Sequence, residues 1–287
     1  QLKKKHDKPF FMGVGFYRPH VPMYASQKWF DMHPREKIKL PLVRKNDRND
    51  LSQYAIDLTN LNHVSPTHKW VSEAGQWDHA VQSYLASVTF ADHCLGLVLD
   101  ALESSSYGKN TVIALFSDHG FHLGEKERWA KRSLWEDGTR VPIIVSAPDY
   151  QKDQRSARPA ELLDVFPTLL ELAGLPADPS QEGQSLVPLM KNPKKEWDHP
   201  AITSFGLGNY SIRTTRYRFI QYFDGSRELY DLSKDPHEWK NLAADPKNKS
   251  IIEEHAAHLP RKQHPILPGR STGHAAYGAA NANIKKD

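Results

Sequence analysis

Asp118 and His119 stand side by side directly after an apolar run, residues 111–116. The composition of that run predicts a buried strand, so the pair would lie on a turn at the strand's carboxyl end, where ligands gather in open α/β sheets. A carboxylate oxygen and an imidazole nitrogen can together hold a divalent cation. An Asp-His-Gly turn is also a common loop built on a side-chain hydrogen bond, so the pair alone leaves both interpretations open.

Two later residues could complete a site for an anionic group bound to that metal. Lys131 lies twelve residues after His119, and its ammonium group would offer a point charge with three rotatable donors. His122 lies three residues after His119 and could face the same pocket. Histidines are common in loops, so a structural role for His122 is equally open.

His20 lies in a second segment with the same pattern of an apolar run followed by a polar turn. Residues 10–16 predict another strand, and the turn after it places His20 between Pro19 and Pro22. Each proline restricts the backbone, so the turn is stiff and would hold one imidazole in place at a low entropic cost. A structural histidine beside a turn is the alternative.

These segments resemble the sulfatase family of the alkaline-phosphatase superfamily, in particular its iduronate 2-sulfatase-like members. The resemblance is carried, in the family's order, by residues 9–22, 117–125, 129–131, 139–145 and 163–176. It implies an α/β fold: the C-terminal part of an alkaline-phosphatase-like α/β/α sandwich, followed by a small antiparallel α+β subdomain.

The resemblance also implies a calcium-dependent sulfuric ester hydrolase with a formylglycine nucleophile. Carried over by motif, Asp118 and His119 would bind Ca²⁺, while His20 and Lys131 would be catalytic residues that contact the sulfate ester and stabilise charge on the leaving oxygen. The implied substrate is a sulfated carbohydrate or similar small ester, and His122 is a further candidate substrate contact because of its spacing to His119. A phosphate or phosphonate ester hydrolase of the same superfamily and a non-catalytic anion-binding relative remain open alternatives.

The chain departs from the family pattern at the nucleophile. No Cys/Ser-x-Pro/Ala-x-Arg motif and no Asp-Asp pair occur in the sequence. The single cysteine, Cys94, falls in residues 76–102, whose apolar spacing predicts a helix. We therefore expect that the first half of the catalytic domain is missing from this chain, together with the nucleophile, and that the chain alone is inactive.

Composition excludes several other classes of protein. The net charge of +4 is too small to indicate a nucleic-acid partner, and no apolar run approaches the roughly 20 residues of a membrane span. One cysteine rules out an internal disulfide. The resemblance implies an exported, periplasmic or lysosomal protein, and the oligomeric state is open.

Changes in sequence pattern along the chain predict four regions. Residues 1–176 would form the catalytic portion, although 31–75 look irregular and would either contact substrate or form a solvated insertion. Residues 177–200 would connect it to an antiparallel subdomain over 201–262, where short alternating runs predict strands. The last region, 263–287, would be a disordered tail.

Overall fold

The computed structural model describes residues 1–60 and 66–262. The predicted tail over 263–287 lies outside the described residues. The helices are α1 (Gln27–Asp31), α2 (Gln53–Thr59), α3 (His68–Glu73), α4 (Trp77–Glu103), α5 (Glu136–Thr139), α6 (Val165–Leu172), α7 (Val187–Lys191) and α8 (Lys249–Ala256). The strands are β1 (Ile113–Phe116), β2 (His122–Leu123), β3 (Trp129–Ala130), β4 (Ile143–Ser146), β5 (Ala201–Ser204), β6 (Tyr210–Arg213), β7 (Tyr217–Gln221) and β8 (Arg227–Asp231).

The chain divides into two compact units whose segments alternate along the sequence. The first contains residues 1–42, 68–113 and 146–149, and the second contains residues 43–67, 114–145 and 150–287. The predicted boundaries at residues 176 and 200 stay a prediction.

Helix α4 is the main element of the first unit, and it confirms the helix predicted around Cys94. The side chain of Trp29 on α1 packs against it, with the Trp29 ring 5.0 Å from the ring of His93. Helix α4 is long and apolar enough, by length and composition, to cross a membrane. The prediction that the chain has no membrane span therefore stays a prediction. Core helices of globular proteins share these properties, so the helix says nothing further about a membrane.

Residues 10–16 do not form the predicted strand. They have no assigned secondary structure, and the side chain of Phe11 is 88% exposed. A strand is stabilised by hydrogen bonds to a neighbouring strand, and among the described residues none pairs with this segment. Gly13 and Gly15 add no side chains that could pack. The strand predicted over residues 111–116 does form as β1, and β1 neighbours β4 in one sheet.

The second unit is built on a four-stranded antiparallel sheet in the order β5-β6-β7-β8. This confirms the antiparallel strands predicted from residue 201 onward. Because side chains alternate between the two faces of a sheet, the strands contribute to two separate clusters. One face packs against α8 through Ile212, Phe219, Leu229 and Ile252. The opposite face packs against α2 and the segment before α5 through Tyr54, Ala55, Leu58, Leu134, Trp135, Ile220, Tyr222 and Tyr230.

Two segments that were predicted to be irregular contribute to packing. Helix α2 lies within residues 31–75, and its Ala55 and Leu58 side chains are buried, so a purely solvated insertion is wrong for that part. Helix α7 lies within the predicted connector, with Val187 and Leu189 buried. Both helices are short, and their apolar periodicity is correspondingly weak in the sequence.

Candidate active site

Asp118 and His119 occupy the turn directly after β1, as the sequence predicts. The Asp118 side chain is 82% exposed, and its Oδ2 lies 3.5 Å from His119 Nε2. His119 Nδ1 lies 2.8 Å from the carbonyl oxygen of Gly120. A carbonyl only accepts hydrogen bonds, so Nδ1 carries the proton. In a neutral ring, the Nε2 lone pair then faces the Asp118 carboxylate. A cation between these two acceptors would be held by both of them.

Gly120 allows this turn to lie directly against the backbone of the segment after β3. Its backbone N–H donates to the carbonyl oxygen of Gly138 at 3.1 Å. A Cβ atom at Gly120 would lie only 2.1 Å from the carbonyl oxygen of Asp137. The third residue of the Asp-His-Gly turn is therefore restricted to glycine by a close backbone approach.

Lys131 directly follows the short hairpin of β2 and β3, in which His122 pairs with Ala130. The Lys131 carbonyl oxygen accepts from Ser133 N at 2.9 Å, and a Cβ atom at Gly138 would lie 3.0 Å from that oxygen. Gly138 thus contacts both the backbone of Lys131 and the turn that carries Asp118 and His119. Within residues 1–60 and 66–262, no carboxylate pairs with Lys131 Nζ, so its charge is available to an anion.

The antiparallel sheet holds the segment after Lys131 through buried polar contacts. Trp135 Nε1 donates to Glu228 Oε2 at 2.8 Å. The backbone N–H of Glu136 donates to Glu238 Oε2 at 2.8 Å. These bonds join the chain around residue 135 to β8 and to the loop after it, so the geometry of the Lys131 segment depends on the C-terminal sheet.

Arg218 on β7 also joins the segment around residue 135 to the antiparallel sheet, through charged contacts. It is 2% exposed, and its guanidinium donates to Glu136 Oε2 and to the Leu134 carbonyl oxygen at 3.1 Å. Its Nε also lies 2.7 Å from Glu238 Oε1, a close ion pair outside hydrogen-bond geometry. Burial alone would raise the pKa of Glu136, but the nearby guanidinium groups of Arg218 and Arg213 lower it overall.

Burial raises the pKa of the two other glutamates in this connection. The pKa of Glu238 is raised to about 7 by burial, against the opposing effect of Arg218. Glu228 is fully buried and has its pKa raised by burial, although Tyr222 and Tyr230 donate hydrogen bonds to it at 2.8 and 2.7 Å. Neither glutamate was predicted from the sequence. The alternation along β8 could have indicated Glu228, because it shares a face with the buried Tyr230.

His122 is completely buried. Its Nε2 lies 2.6 Å from Ser133 Oγ, and burial, together with the charge of Arg128, lowers its pKa to about 3. The ring is therefore neutral at physiological pH. A substrate contact by His122 stays a prediction, and it requires solvent access that the ring lacks in this structure.

His20 belongs to the first compact unit and is exposed, with Nδ1 2.5 Å from the Val21 carbonyl oxygen. The neighbouring Arg18 does not extend freely into solvent, because its Nε donates to the carbonyl oxygen of Tyr24 at 2.7 Å. The stiff turn predicted for this segment has a hydrogen bond from His20 N to the Tyr17 carbonyl oxygen. The catalytic role of His20 stays a prediction.

The fold and these motifs match a known family of enzymes. The family model described as Sulfatase matches residues 1–175, and the model described as N-sulphoglucosamine sulphohydrolase, C-terminal matches residues 124–264. The chain belongs to the sulfatase family. The resemblance inferred from the sequence is therefore confirmed.

Three curated relatives show how far the similarity extends. A sulfatase of Formosa agariphila is 44% identical over 91% of this chain and 51% of its own length. The Delta 4,5-hexuronate-2-O-sulfatase of Bacteroides thetaiotaomicron is 28% identical over 90% of this chain and 57% of its own length. The iduronate 2-sulfatase of Mus musculus is 29% identical over 85% of this chain and 59% of its own length. The chain thus spans about half the length of these relatives.

The fold is of the alkaline-phosphatase-like α/β type, as predicted. The solved phosphonate monoester hydrolase of Agrobacterium radiobacter superposes with a TM-score of 0.75 at 23% identity, covering 89% of this chain and 56% of that structure. At this identity the match concerns the fold alone. The small antiparallel subdomain of the prediction corresponds to the sheet of β5 to β8.

Proposed function

We propose that this chain is part of a calcium-dependent sulfuric ester hydrolase that acts on a sulfated carbohydrate. One observation carries the proposal beyond family membership. Asp118 Oδ2 and His119 Nε2 face each other at 3.5 Å, next to a segment whose Lys131 has no carboxylate partner in the described part of the chain. Gly138 accepts a hydrogen bond from Gly120 in the turn that carries Asp118 and His119, and it also lies against the backbone of Lys131.

Asp118 and His119 fit a role in holding the metal. The exposed carboxylate offers a hard oxygen, and the hydrogen bond from His119 Nδ1 to Gly120 leaves Nε2 as the acceptor. Ca²⁺ takes about six to eight ligands, mostly oxygens, so these two residues would supply only part of its coordination. When bound, the ion would withdraw negative charge from the sulfate oxygens.

Lys131 would bind the sulfate group directly. Its ammonium group donates to the sulfate oxygens and stabilises the negative charge that moves to the leaving oxygen when the ester bond breaks. The connection to Glu228 and Glu238 keeps the backbone beside Lys131 in place. His20 would assist the leaving oxygen, as the family resemblance implies, and an exported or lysosomal location is likewise proposed from the family.

The substrate class is proposed from the relatives. Two of them are named for sulfate at the 2-position of a uronic acid, the hexuronate-2-O-sulfatase and the iduronate 2-sulfatase. A sulfated uronic acid carries a carboxylate as well as a sulfate, so it is a dianion that suits a pocket with both a metal and a lysine. We propose a sugar of this kind as the substrate.

Two alternatives have specific support. A phosphate or phosphonate ester hydrolase is favoured by the structural match to a phosphonate monoester hydrolase. A non-catalytic anion-binding role is favoured by the absence of a formylglycine motif from the 287 residues. For the same reason, we propose that the chain by itself does not hydrolyse esters. Sulfate release from an aryl sulfate that Lys131→Ala abolishes would contradict this part.

The main experiment is calorimetric titration of the 287-residue chain with a 2-O-sulfated uronate disaccharide, with and without Ca²⁺. We expect binding that requires Ca²⁺ and is lost in Asp118→Asn. Hydrogen bonds to charged groups contribute about 1.5–3 kcal/mol, so Lys131→Ala should weaken binding at least about tenfold. Lys152→Ala, which removes an exposed lysine of the same unit, serves as the matched control.

Two outcomes would overturn the proposal. Equal affinity of the Lys131→Ala and Lys152→Ala variants would remove Lys131 from the anion site. Tighter binding of a phosphonate monoester than of the sulfate ester would favour the alternative hydrolase.

A further inference from the structure

His122, Glu125 and Asp137 form a second cluster of metal-ligating side chains. One ring nitrogen of His122 and one carboxylate oxygen from each acid lie within 4.8 Å of one another. The three residues come from β2, from the turn that follows it and from α5, and all belong to the second compact unit. This cluster shares no residue with the Asp118 and His119 pair.

The His122 ring is prepared to act as a ligand. It is completely buried, and its Nδ1 has no partner in hydrogen-bond geometry among the described residues, although a contact with the Glu125 backbone raises the pKa of the ring against the larger effect of burial. Nε2 is bonded to Ser133 Oγ at 2.6 Å. When Nε2–H donates to that hydroxyl, the Nδ1 lone pair has no donor, and a buried acceptor in this state is destabilising until it binds a donor or a metal. Metal-bound histidines usually donate their other N–H in this way.

The two carboxylates have complementary positions. Glu125 Oε2 accepts from the Leu123 backbone N–H at 2.7 Å, which orients the side chain, and burial raises the pKa of Glu125. Asp137 is exposed as a residue, so ions and water can reach the cluster from its side, although partial burial of its carboxylate and the nearby Glu136 raise its pKa. With a neutral imidazole, the set carries a formal charge of about −2, which matches a divalent cation.

Two cationic side chains, Lys126 and Arg128, lie near His122. Lys126 binds other partners, and both charges favour a neutral His122 ring. Lys126 Nζ donates to the Glu238 carbonyl oxygen and lies 3.4 Å from Asp47 Oδ1. Burial lowers the pKa of His122, and the charges of Arg128 and Lys126 add to this effect. They therefore favour the deprotonated ring, which is the form that binds metal.

The second metal-capable group, Glu161, Asp164 and His199, is less suitable. Both Asp164 oxygens already accept backbone N–H groups, from Glu161 at 2.8 Å and from Gln184 at 2.7 Å. Glu161 likewise accepts from the backbone of Ile202. These carboxylates have a structural role in joining α6 to its neighbours.

We propose that His122, Glu125 and Asp137 form a divalent-cation site, distinct from that of Asp118 and His119 and suited to Zn²⁺. One imidazole nitrogen and two carboxylate oxygens are ligands typical of zinc, and a water molecule on the Asp137 side would complete a tetrahedral set. The bound ion would link the β2–β3 hairpin to α5, and so would hold the two backbone segments on either side of Lys131.

The test uses the full chain in an Asp118→Asn/His119→Ala background, which removes the proposed calcium ligands. Calorimetric titration of the metal-free chain with Zn²⁺ should give one site per chain. Asp137→Asn should weaken it at least about tenfold, and His122→Ala should abolish it. Glu171→Gln, which alters an exposed acid on α6, should leave it unchanged. X-ray absorption at the zinc edge should show one nitrogen ligand of the imidazole type.

Because His122 is buried, His122→Ala can fail to fold, whereas Asp137→Asn changes an exposed side chain. The proposal therefore depends on the Asp137 variant. Zinc affinity unchanged by Asp137→Asn, or no stoichiometric zinc in the background protein, would overturn it. Neither result bears on the proposed Ca²⁺ and sulfate site, because that site is tested with Ca²⁺ and the sulfated sugar in the unmutated chain.

Discussion

Replacement of Arg218 by methionine tests whether buried charge holds the Lys131 segment to the sheet. The guanidinium donates to Glu136, to Ser211 Oγ at 2.5 Å and to the Leu134 carbonyl oxygen at 3.1 Å. Methionine fills much of the same volume but leaves Glu238 buried without its ion-pair partner. Removing one member of a buried ion pair costs about 3–5 kcal/mol. We expect the free energy of unfolding to fall by about that amount.

Urea unfolding followed by tryptophan fluorescence measures this change, because Trp135 is 1% exposed and bonded to the same sheet. Arg227→Met is the matched control. Arg227 lies on the neighbouring strand β8 and is exposed, so its replacement should change stability by less than about 0.5 kcal/mol. Adding Glu238→Gln to Arg218→Met should recover part of the loss, since it removes the unpaired carboxylate. If Arg218→Met lowered the free energy of unfolding by less than about 1 kcal/mol, the buried charge of Arg218 would not be what holds the Lys131 segment to the sheet.

The remaining predictions concern Gly120 and Glu161. In Gly120→Ala, the new Cβ would lie 2.1 Å from the Asp137 carbonyl oxygen, so the backbone must shift. We expect a loss of about 1–3 kcal/mol in thermal unfolding, and an unchanged melting temperature would contradict it. Burial raises the pKa of Glu161 from 4.5 to about 7, so the folded chain retains a proton that the unfolded chain releases between these values. The stabilisation by this retained proton is fully present below 4.5, the pKa of Glu161 in the unfolded chain. It is lost as the pH rises through about 7, the pKa of Glu161 in the folded chain. Between pH 5 and pH 7.5, the free energy of unfolding of Glu161→Gln should therefore fall by about 2–3 kcal/mol less than that of the wild type. Glu171→Gln should keep the wild-type slope, and an equal slope in all three proteins would show that Glu161 is not the group involved.

Sequence patterns predicted the elements whose signals are local. The apolar spacing around Cys94 marked α4, and the alternating runs after residue 200 marked the antiparallel sheet. The apolar run before Asp118 marked β1 and placed the Asp-His turn at its end. In each case the pattern of apolar residues within one segment is enough to predict the element. The spacing of apolar residues is helical in α4, and they alternate with polar residues in the strands of the sheet.

Features that depend on distant partners were not predictable in the same way. Residues 10–16 have the composition of a strand, but a strand also needs a neighbour to pair with. His122 was considered as a pocket residue from its spacing, yet spacing does not show that Ser133 and Trp135 enclose the ring. Arg218 and Glu238 would read as surface charges until the packing of the sheet against the segment before α5 is known.

The bonds between the Lys131 segment and the sheet have a consequence for the order of folding during synthesis. Trp135 is separated by 93 residues from Glu228, and Glu136 by 102 residues from Glu238. At about 5–20 residues per second, the ribosome makes the Lys131 segment roughly 5–20 s before its partners. Throughout that interval Trp135 and Glu136 lack the groups that bury and bond them. The proposed anion site can therefore gain these supporting contacts only after Glu238, which follows β8, has left the ribosome, and a nascent chain stalled before β8 would present Trp135 to chaperones.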